Sequence, residues 1–149
     1  MELRFVDAKS TDYRMLAQKL DDYYFSLVGD VHLRYAEANR PENMACLIVA
    51  YDGDVPMGCG CWKAVDETTA EVKRIYVLPQ YRRQGVASAI IRKLEESIRA
   101  SRYQRILLET ARTTSDSHAL YLSLGYREIG YYGSPAGAEN CRCFLKDIS

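Results

Sequence analysis

The amino-acid sequence predicts a mixed α/β domain: a largely antiparallel sheet with one central parallel pair of strands, and helices on both faces. A hairpin pattern in the first half of the chain continues into a third strand, as in an antiparallel meander. A strongly periodic helix then separates that strand from another buried strand, and this order requires a parallel pair joined by a crossover. The length of 149 residues suits one domain, expected over residues 1–149.

The first half of the chain is predicted to hold one helix and the meander. A short strand is expected over residues 3–7, and Ser10 offers N-cap chemistry for a helix that runs to about Val28. Residues 31–43 are predicted to be irregular or to form a short helical cover that Pro41 ends. The meander strands are expected, with a turn at residues 52–54, over residues 45–51, 55–65 and 69–78.

The second half is predicted to alternate helices and strands. The clearest helix, from about Gly85 to Ser101, has an apolar face and places Glu95 and Glu96 among the charged residues opposite it. A buried strand over residues 105–110 and a helix over residues 115–124, ended by Gly125, follow. Two closing strands are expected near residues 126–131 and 140–146.

Composition and charge exclude several classes of protein. Lys plus Arg and Asp plus Glu number 20 each, so the chain lacks the basic excess of a general nucleic-acid binder, and no nucleic-acid partner is expected. No apolar run approaches the roughly 18 residues of a membrane span, and the chain begins with no secretory signal pattern. We therefore expect a cytoplasmic protein without a membrane partner.

The five cysteines are predicted to be reduced thiols that face the core. Four of them form the pairs Cys59-x-Cys61 and Cys141-x-Cys143, which are spaced too closely for typical zinc-ligand pairs and have no histidine nearby. No metal is expected. None of these four cysteines has an obvious base near it in sequence, so an acyl-cysteine intermediate is not favoured.

A glycine-containing loop, Arg82-Arg83-Gln84-Gly85-Val86-Ala87, joins the third meander strand to the clearest helix. The first amides of a helix lack intrahelical partners and lie at the positive end of its dipole, so the loop predicts an anion site. Cationic residues expected around the loop favour a polyanion; they are Arg74, Arg82, Arg83, Arg92 and Lys93. The spacing is neither the dinucleotide glycine fingerprint nor a nucleotide P-loop, although a nucleotide-phosphate binder is retained as a rival.

Three segments, in order, carry a resemblance to a known family. They are residues 70–79, AEVKRIYVLP, then Arg82-x-x-Gly85-x-Ala87, and then residues 119–126, ALYLSLGY. They resemble the central strand, the pyrophosphate loop and the later helix and turn of the GCN5-related N-acetyltransferase (GNAT) family, with Ala87 where Gly is commoner. Within that family, the chain looks most like the small stand-alone bacterial members.

This resemblance implies a GNAT fold with a splayed central pair, acetyl-CoA as cosubstrate, and a small-molecule primary amine as acceptor. The pantetheine arm is expected to pair with the central strand at the splay, and the pyrophosphate to bind the loop amides. The implied cofactor-binding residues are Ile75, Tyr76, Val77, Arg82, Arg83, Gln84, Gly85, Val86, Ala87 and Ser88. A non-catalytic acyl-CoA sensor is the alternative function, and a homodimer is compatible with the sequence.

The resemblance also implies catalytic roles, because the charged amine must lose a proton and the departing thiolate benefits from gaining one. Tyr121 matches the family tyrosine near the sulfur and is expected to act as general acid or hydrogen-bond donor. Glu71 is the first candidate for the base, Glu109 is the second, and a water relay without a dedicated base stays open.

Several further residues have two interpretations. His118 could shuttle a proton or lie at the solvated surface, and Ser115 and Ser117 could cap a helix or contact CoA. Asn140 and residues 133–135 could shape specificity or form a turn. Aromatic residues that could line a cleft are Tyr23, Tyr24, Tyr35, Trp62, Tyr131 and Tyr132.

Overall fold

A computed structural model describes residues 1–29, 36–111, 115–132 and 141–149 of the chain. The strands in these residues are β1 (Glu2–Val6), β2 (Cys46–Asp52), β3 (Val55–Ala64), β4 (Thr69–Val77), β5 (Arg105–Ala111), β6 (Arg127–Ile129) and β7 (Cys141–Asp147). The helices are α1 (Thr11–Val28), α2 (Val86–Ala100) and α3 (Ser115–Ser123). Short 3-10 turns lie at Pro41–Asn43 and Pro79–Tyr81.

The seven strands form one sheet in the order β1-β2-β3-β4-β5-β7-β6. Neighbouring strands are antiparallel except for β4 and β5, which are parallel. Because α2 carries the chain from β4 to β5, this is the crossover that the sequence predicted. The predicted mixed sheet is confirmed, and the observed bounds of its strands lie close to the predicted ones.

Helix α1 covers one face of the sheet. Its N-terminus is capped by Ser10, whose Oγ accepts a hydrogen bond from the amide of Tyr13 at 3.1 Å, as predicted. The buried residues between α1 and the sheet are Tyr13, Leu16, Leu47, Val49, Tyr51, Cys59, Cys61 and Leu78. This face therefore has its own apolar core, built from the first two turns of α1 and from β2 and β3.

Helices α2 and α3 cover the opposite face, where the larger core lies. Its buried residues include Ile48, Ala50, Val72, Ile90, Ile91, Leu94, Ile98, Ile106, Leu108, Tyr121 and Phe144. Gly60 allows α2 to approach β3 closely, since a Cβ there would lie 2.7 Å from Cγ2 of Ile90. The apolar stripe of α2 fixes it across the strands that precede it in the chain.

Glu95 departs from the predicted pattern of α2. The sequence places it on the exposed face with Glu96, but its carboxylate is buried, so that prediction is wrong. It accepts a hydrogen bond from the Tyr126 hydroxyl at 2.7 Å and lies 3.1 Å from Nζ of Lys146. Partners from the turn after α3 and from β7 thus satisfy a charge that burial alone would disfavour.

The cysteines are free thiols, as predicted. Cys59, Cys61 and Cys143 are buried, and Cys46 and Cys141 are partly exposed. In the described part of the chain, no group of three His, Cys, Asp or Glu side chains could hold a metal ion. Among the same residues, no helix is long and apolar enough to cross a membrane.

Some predicted features fall outside the described residues. They are Asn140, the loop at residues 133–135, and residues 31–35 of the cover predicted for residues 31–43, which include Tyr35. Within that cover, Pro41–Asn43 forms a single 3-10 turn, and Pro41 begins this turn.

Candidate active site

The central parallel strands separate part of the way along their length. The pairing between β4 and β5 runs from Thr69 opposite Arg105 to Val72 opposite Leu108 and then stops. Both strands continue, β4 to Val77 and β5 to Ala111. The opening between residues 73–77 and residues 109–111 is called the gap below. Among the described residues, no strand pairs with the main-chain polar groups that β4 presents to it.

A bulge in β4 lies beside the gap. On β3, Cys59 pairs with Tyr76 and Cys61 with Lys73, so Gly60 alone faces two residues of β4. One of the two is Arg74, which adopts a left-handed backbone with φ of 62°. Its buried guanidinium donates to Asp21 Oδ1 at 2.7 Å and to the Ala17 carbonyl at 3.1 Å.

These contacts correct the expected position of Arg74. The sequence places it among the cations around the glycine loop, but its side chain is directed to α1, on the other face of the sheet. An Arg in a left-handed conformation is strained, and burial of a charge is costly, so the pair with Asp21 has to offset both. Arg74 therefore fixes α1 against the strand at the gap.

The main chain of β4 after the bulge alternates between β3 and the gap. The Leu78 amide donates to the Met57 carbonyl of β3 at 2.8 Å. Because successive residues of a strand direct their polar groups to opposite sides, those of Tyr76 also face β3, whereas those of Ile75 and Val77 face the gap. Of the three strand residues expected to pair with a ligand, two thus present their backbone to the opening.

The glycine loop provides open backbone at the start of α2. Arg83 and Gly85 have left-handed backbones, with φ of 62° and 82°, and Gly85 is the N-cap. The Ala89 amide donates to the Gly85 carbonyl at 3.1 Å, so the amides of residues 86–88 precede the first helical hydrogen bond. A Cβ added to Gly85 would meet no atom of the described residues within 4 Å, so these residues leave open space beside the amides.

The two arginines of the loop have different roles. Nε of Arg82 donates to the Val77 carbonyl at 2.9 Å, and its guanidinium lies 5.7 Å from the centroid of the Tyr76 ring. The Arg83 side chain is 88% exposed, with Nη2 at 4.0 Å from Asp116 Oδ2. Arg82 thus holds the loop to the end of β4, while Arg83 is the more available cation for an anion at the helix terminus.

Tyr121 lies on α3, on the same face of the sheet as α2. Its ring packs edge-on against Tyr126 and Phe144, with centroid distances of 6.3 Å and 5.7 Å. Burial, with a smaller contribution from Tyr24, raises the pKa of Tyr121 far above its usual value. The phenol therefore keeps its proton at neutral pH and can donate a hydrogen bond.

The candidate bases lie on the α1 face, opposite Tyr121. Glu71 pairs with Leu107 across the ladder, so Glu109, two residues further along β5, shares its face. The Glu71 carboxylate is buried; its Oε2 accepts from the Tyr132 hydroxyl at 2.7 Å, and its Oε1 lies 3.8 Å from Nζ of Lys73. Sequence reasoning did not find either partner of Glu71.

Tyr24 of α1 lies near β5 and near Tyr121. Burial raises the pKa of Tyr24, while Arg74 and a hydrogen bond with Thr110 on β5 oppose the rise. The same side chain also contributes to the raised pKa of Tyr121. The structure therefore brings Glu71 and Glu109 onto one face of the sheet, while Tyr24 of α1 is near enough to Tyr121 to affect its pKa.

His118 is part of a buried network, so the expectation that it lies at the solvated surface is wrong. One ring nitrogen, Nε2, lies 2.9 Å from the Ala111 carbonyl, and Nδ1 lies 2.7 Å from Nη1 of Arg142. Because a carbonyl only accepts and an Arg only donates, Nε2 carries the proton and Nδ1 accepts. Both nitrogens are engaged, which opposes a proton-shuttle role.

The remaining candidates are placed as follows. Trp62 is buried, donates to Ser97 Oγ at 3.0 Å and packs on Tyr103, so it belongs to the core under α2 and not to a cleft. Tyr23 is exposed, whereas Tyr131 stacks on Tyr132 at a centroid distance of 6.3 Å. The side chain of Ser115 lies outside the described residues, and Ser117 is partly buried on α3.

Comparison with known proteins gives relatives of two kinds. N-acetylaspartate synthetase from Danio rerio is 25% identical over 117 residues, which are 78% of this chain but 40% of that protein. The chain likewise spans 41% of N-acetyltransferase 8 from Homo sapiens, so it covers less than half of these two relatives. The IAA acetyltransferase of Azospirillum brasilense is 29% identical over 140 residues, covering 88% of this chain and 86% of the relative.

Solved structures show the same fold. A Klebsiella pneumoniae protein described as an acyl-CoA N-acyltransferase superposes with a TM-score of 0.82 at 20% identity, over 99% of this chain and 97% of that one. The PaiA N-acetyltransferase of Thermoplasma acidophilum, solved with coenzyme A, gives 0.75 at 13% identity, over 99% and 98%. The model of the acetyltransferase (GNAT) family matches residues 13–126, so the chain belongs to the GNAT acetyltransferase family.

Proposed function

We propose that the protein transfers the acetyl group of acetyl-CoA to a primary amine of a small molecule, by direct attack of the amine on the thioester. The observation that carries this proposal is the end of β4 and β5 pairing at Val72 and Leu108. The gap that results leads directly into the glycine loop, so one extended ligand can contact both. We further propose that residues 1–149 form a single domain for this reaction.

The donor is proposed to bind through the main chain. Amides of residues 83–88 and the positive end of α2 would hold the pyrophosphate, with Arg83 supplying charge. The pantetheine arm would hydrogen-bond to Ile75 and to the amide of Val77 as an added strand, since the Val77 carbonyl already accepts from Arg82. The PaiA relative, which was solved with coenzyme A, supports this choice of donor.

In the proposed chemistry, a base on one face of the sheet takes a proton, and a donor on the other face supplies one. The acceptor ammonium loses a proton to Glu71, directly or through a water, with Glu109 as the alternative base. The free amine then attacks the thioester carbon, a C–N bond forms, and the C–S bond breaks, while the nitrogen releases its second proton to the departing thiolate or to solvent. The departing CoA thiolate receives a hydrogen bond or a proton from the Tyr121 phenol.

Turnover tests this function. The protein is incubated with acetyl-CoA and a panel of amino acids, polyamines, aminoglycosides and peptides, and CoA release and acetylated products are followed by thiol reagent and mass spectrometry. Amine-dependent CoA release with a matching product supports the proposal. Tight acetyl-CoA binding without release for any amine would indicate a sensor, and tighter calorimetric binding of ATP or NAD would overturn the choice of donor.

Gly85→Ala is expected to weaken acetyl-CoA binding at least about tenfold, because the new methyl group enters the space proposed for the pyrophosphate. The left-handed backbone should also cost about 1 kcal/mol of unfolding free energy. Gly53→Ala is the matched control, since Gly53 also has a left-handed backbone and open space, but lies in the β2–β3 turn. Calorimetry and urea unfolding should show the stability loss in both variants and the affinity loss in Gly85→Ala alone.

Glu71→Gln is expected to lower kcat/KM about 100-fold and to remove the low-pH limb of its pH profile. An amide cannot take the proton that the carboxylate would take. The exposed Glu67, changed to Gln, serves as the control and should leave the profile unchanged. A Glu71→Gln variant with the wild-type profile would assign the base to Glu109 or to water.

A further inference from the structure

Tyr132 contacts Glu71, the proposed base, on the α1 face of the sheet, which is called the acceptor side below. Its hydroxyl donates to Oε2 of Glu71 at 2.7 Å. We infer that Tyr132 is a positioning residue, which fixes the Glu71 carboxylate so that Oε1 is presented to the acceptor amine or its bridging water. This inference rests on the proposed function and deepens it.

The ring of Tyr132 is itself held in place. It stacks on Tyr131 with an interplanar angle of 24°, and its backbone hydrogen-bonds to the Cys143 thiol of β7. Burial, together with the charges of Glu71 and Glu109, raises the pKa of Tyr132 far above its usual value. The hydroxyl therefore remains protonated at neutral pH and acts only as a donor toward the carboxylate.

The two carboxylate oxygens of Glu71 are held differently. The contact between Lys73 Nζ and Oε1 is 3.8 Å, which is too long for a hydrogen bond but close enough for charge attraction. Tyr132 thus provides the directional bond, while Lys73 provides charge. Without the phenol, the terminal torsion of the Glu71 side chain would be broad and roughly two-fold.

Other ionisable groups lie around this carboxylate on the neighbouring strands. Lys63 of β3 is the cross-strand neighbour of Glu71 on the same face. The other groups near it are Lys73 of β4, Glu109 of β5 and Cys143 of β7. On α1, Asp21 pairs with Arg74 of β4, and Tyr24 lies near the same Arg74. A Tyr132→Phe substitution changes none of these charges, so it isolates the effect of one hydrogen bond.

Tyr132→Phe is expected to lower kcat about tenfold and to move the low-pH limb of the kcat/KM profile about one unit to higher pH. The hydroxyl stabilises the charged carboxylate, so its loss makes protonation easier and the active form disappears at a higher pH. The KM for acetyl-CoA should stay within about twofold, because the change lies on the acceptor side. A residue with only a structural role would lower the rate without moving the profile.

The test compares pH profiles of the wild type, Tyr132→Phe, Glu71→Gln and the double variant. Tyr103→Phe is the control, since its ring packs on Trp62 under α2, away from the gap, and it should keep the wild-type profile. In the Glu71→Gln background, the Tyr132 change should cost less than about twofold, because it acts through the carboxylate. An unshifted profile in Tyr132→Phe, or independent effects in the double variant, would overturn the role of Tyr132.

Failure of this inference is distinguishable from failure of the proposed function. If the wild type releases no CoA with any amine, the proposed function has failed. If the wild type turns over and only the shift of the pH profile in Tyr132→Phe is missing, the proposed acetyltransferase function is retained and the positioning role is rejected. Thermal unfolding of each variant confirms that the proteins compared are folded.

Discussion

Tyr121→Phe should lower kcat about 100-fold while leaving the Kd for acetyl-CoA within about twofold of the wild type. The phenyl ring keeps the edge-on contacts with Tyr126 and Phe144, so the fold and the donor site are retained. What is lost is the hydrogen bond or proton that stabilises the departing thiolate. Because this interaction forms as the C–S bond breaks, its loss affects the chemical step more than binding.

Single-turnover measurements give the rate of acetyl transfer, and calorimetry gives the affinity for acetyl-CoA, so the two effects can be separated. Thermal unfolding should give nearly the same midpoint for Tyr121→Phe and the wild type. A chemical rate equal to that of the wild type would remove Tyr121 from the mechanism. A large loss of acetyl-CoA affinity would instead assign it to donor binding.

Glu95→Ala should lower the free energy of unfolding by about 3–5 kcal/mol. The substitution leaves the Tyr126 hydroxyl and the Lys146 ammonium without the buried carboxylate that binds them. Its neighbour Glu96 is the matched control, because its side chain is 67% exposed and its contact with Lys93 lies at the surface. Glu96→Ala should cost less than about 0.5 kcal/mol.

Urea unfolding followed by tryptophan fluorescence measures this difference, since Trp62 is buried under α2. Glu95→Gln is an intermediate variant, because it keeps the acceptor for Tyr126 but removes the charge facing Lys146. We expect its stability to fall between those of the wild type and Glu95→Ala. Equal losses for Glu95→Ala and Glu96→Ala would show that the buried network contributes little.

The wrong prediction for Glu95 shows the limit of sequence periodicity as a guide to which residues are buried. The apolar residues of α2 recur at helical spacing, so the helix and its buried face could be predicted from local pattern alone. Glu95 lies at the border of that face, and its partner Lys146 is 51 positions away in sequence. Only the placement of β7 beside β5 brings the two together, and a helical pattern contains no information about it.

In the candidate site, too, features set by local sequence could be predicted, whereas contacts between distant parts of the chain could not. The glycine loop was predictable because its geometry is local: a left-handed Gly85 directly precedes the first turn of α2. The hydrogen bond between Tyr132 and Glu71 was not, since it spans 61 positions and depends on the register of several strands. Arg82 shows a third case, in which a residue chosen for its charge bonds to a strand carbonyl instead.

The short pairing of β4 with β5 has a consequence beyond catalysis. Four residue pairs join the half of the sheet formed by β1 to β4 to the half formed by β5 to β7. Separation along this line breaks fewer main-chain pairs than separation of any other two neighbouring strands of the described sheet except β6 and β7. Under the proposed function, acetyl-CoA adds bonds at this line, so its binding is expected to slow proteolysis of the protein.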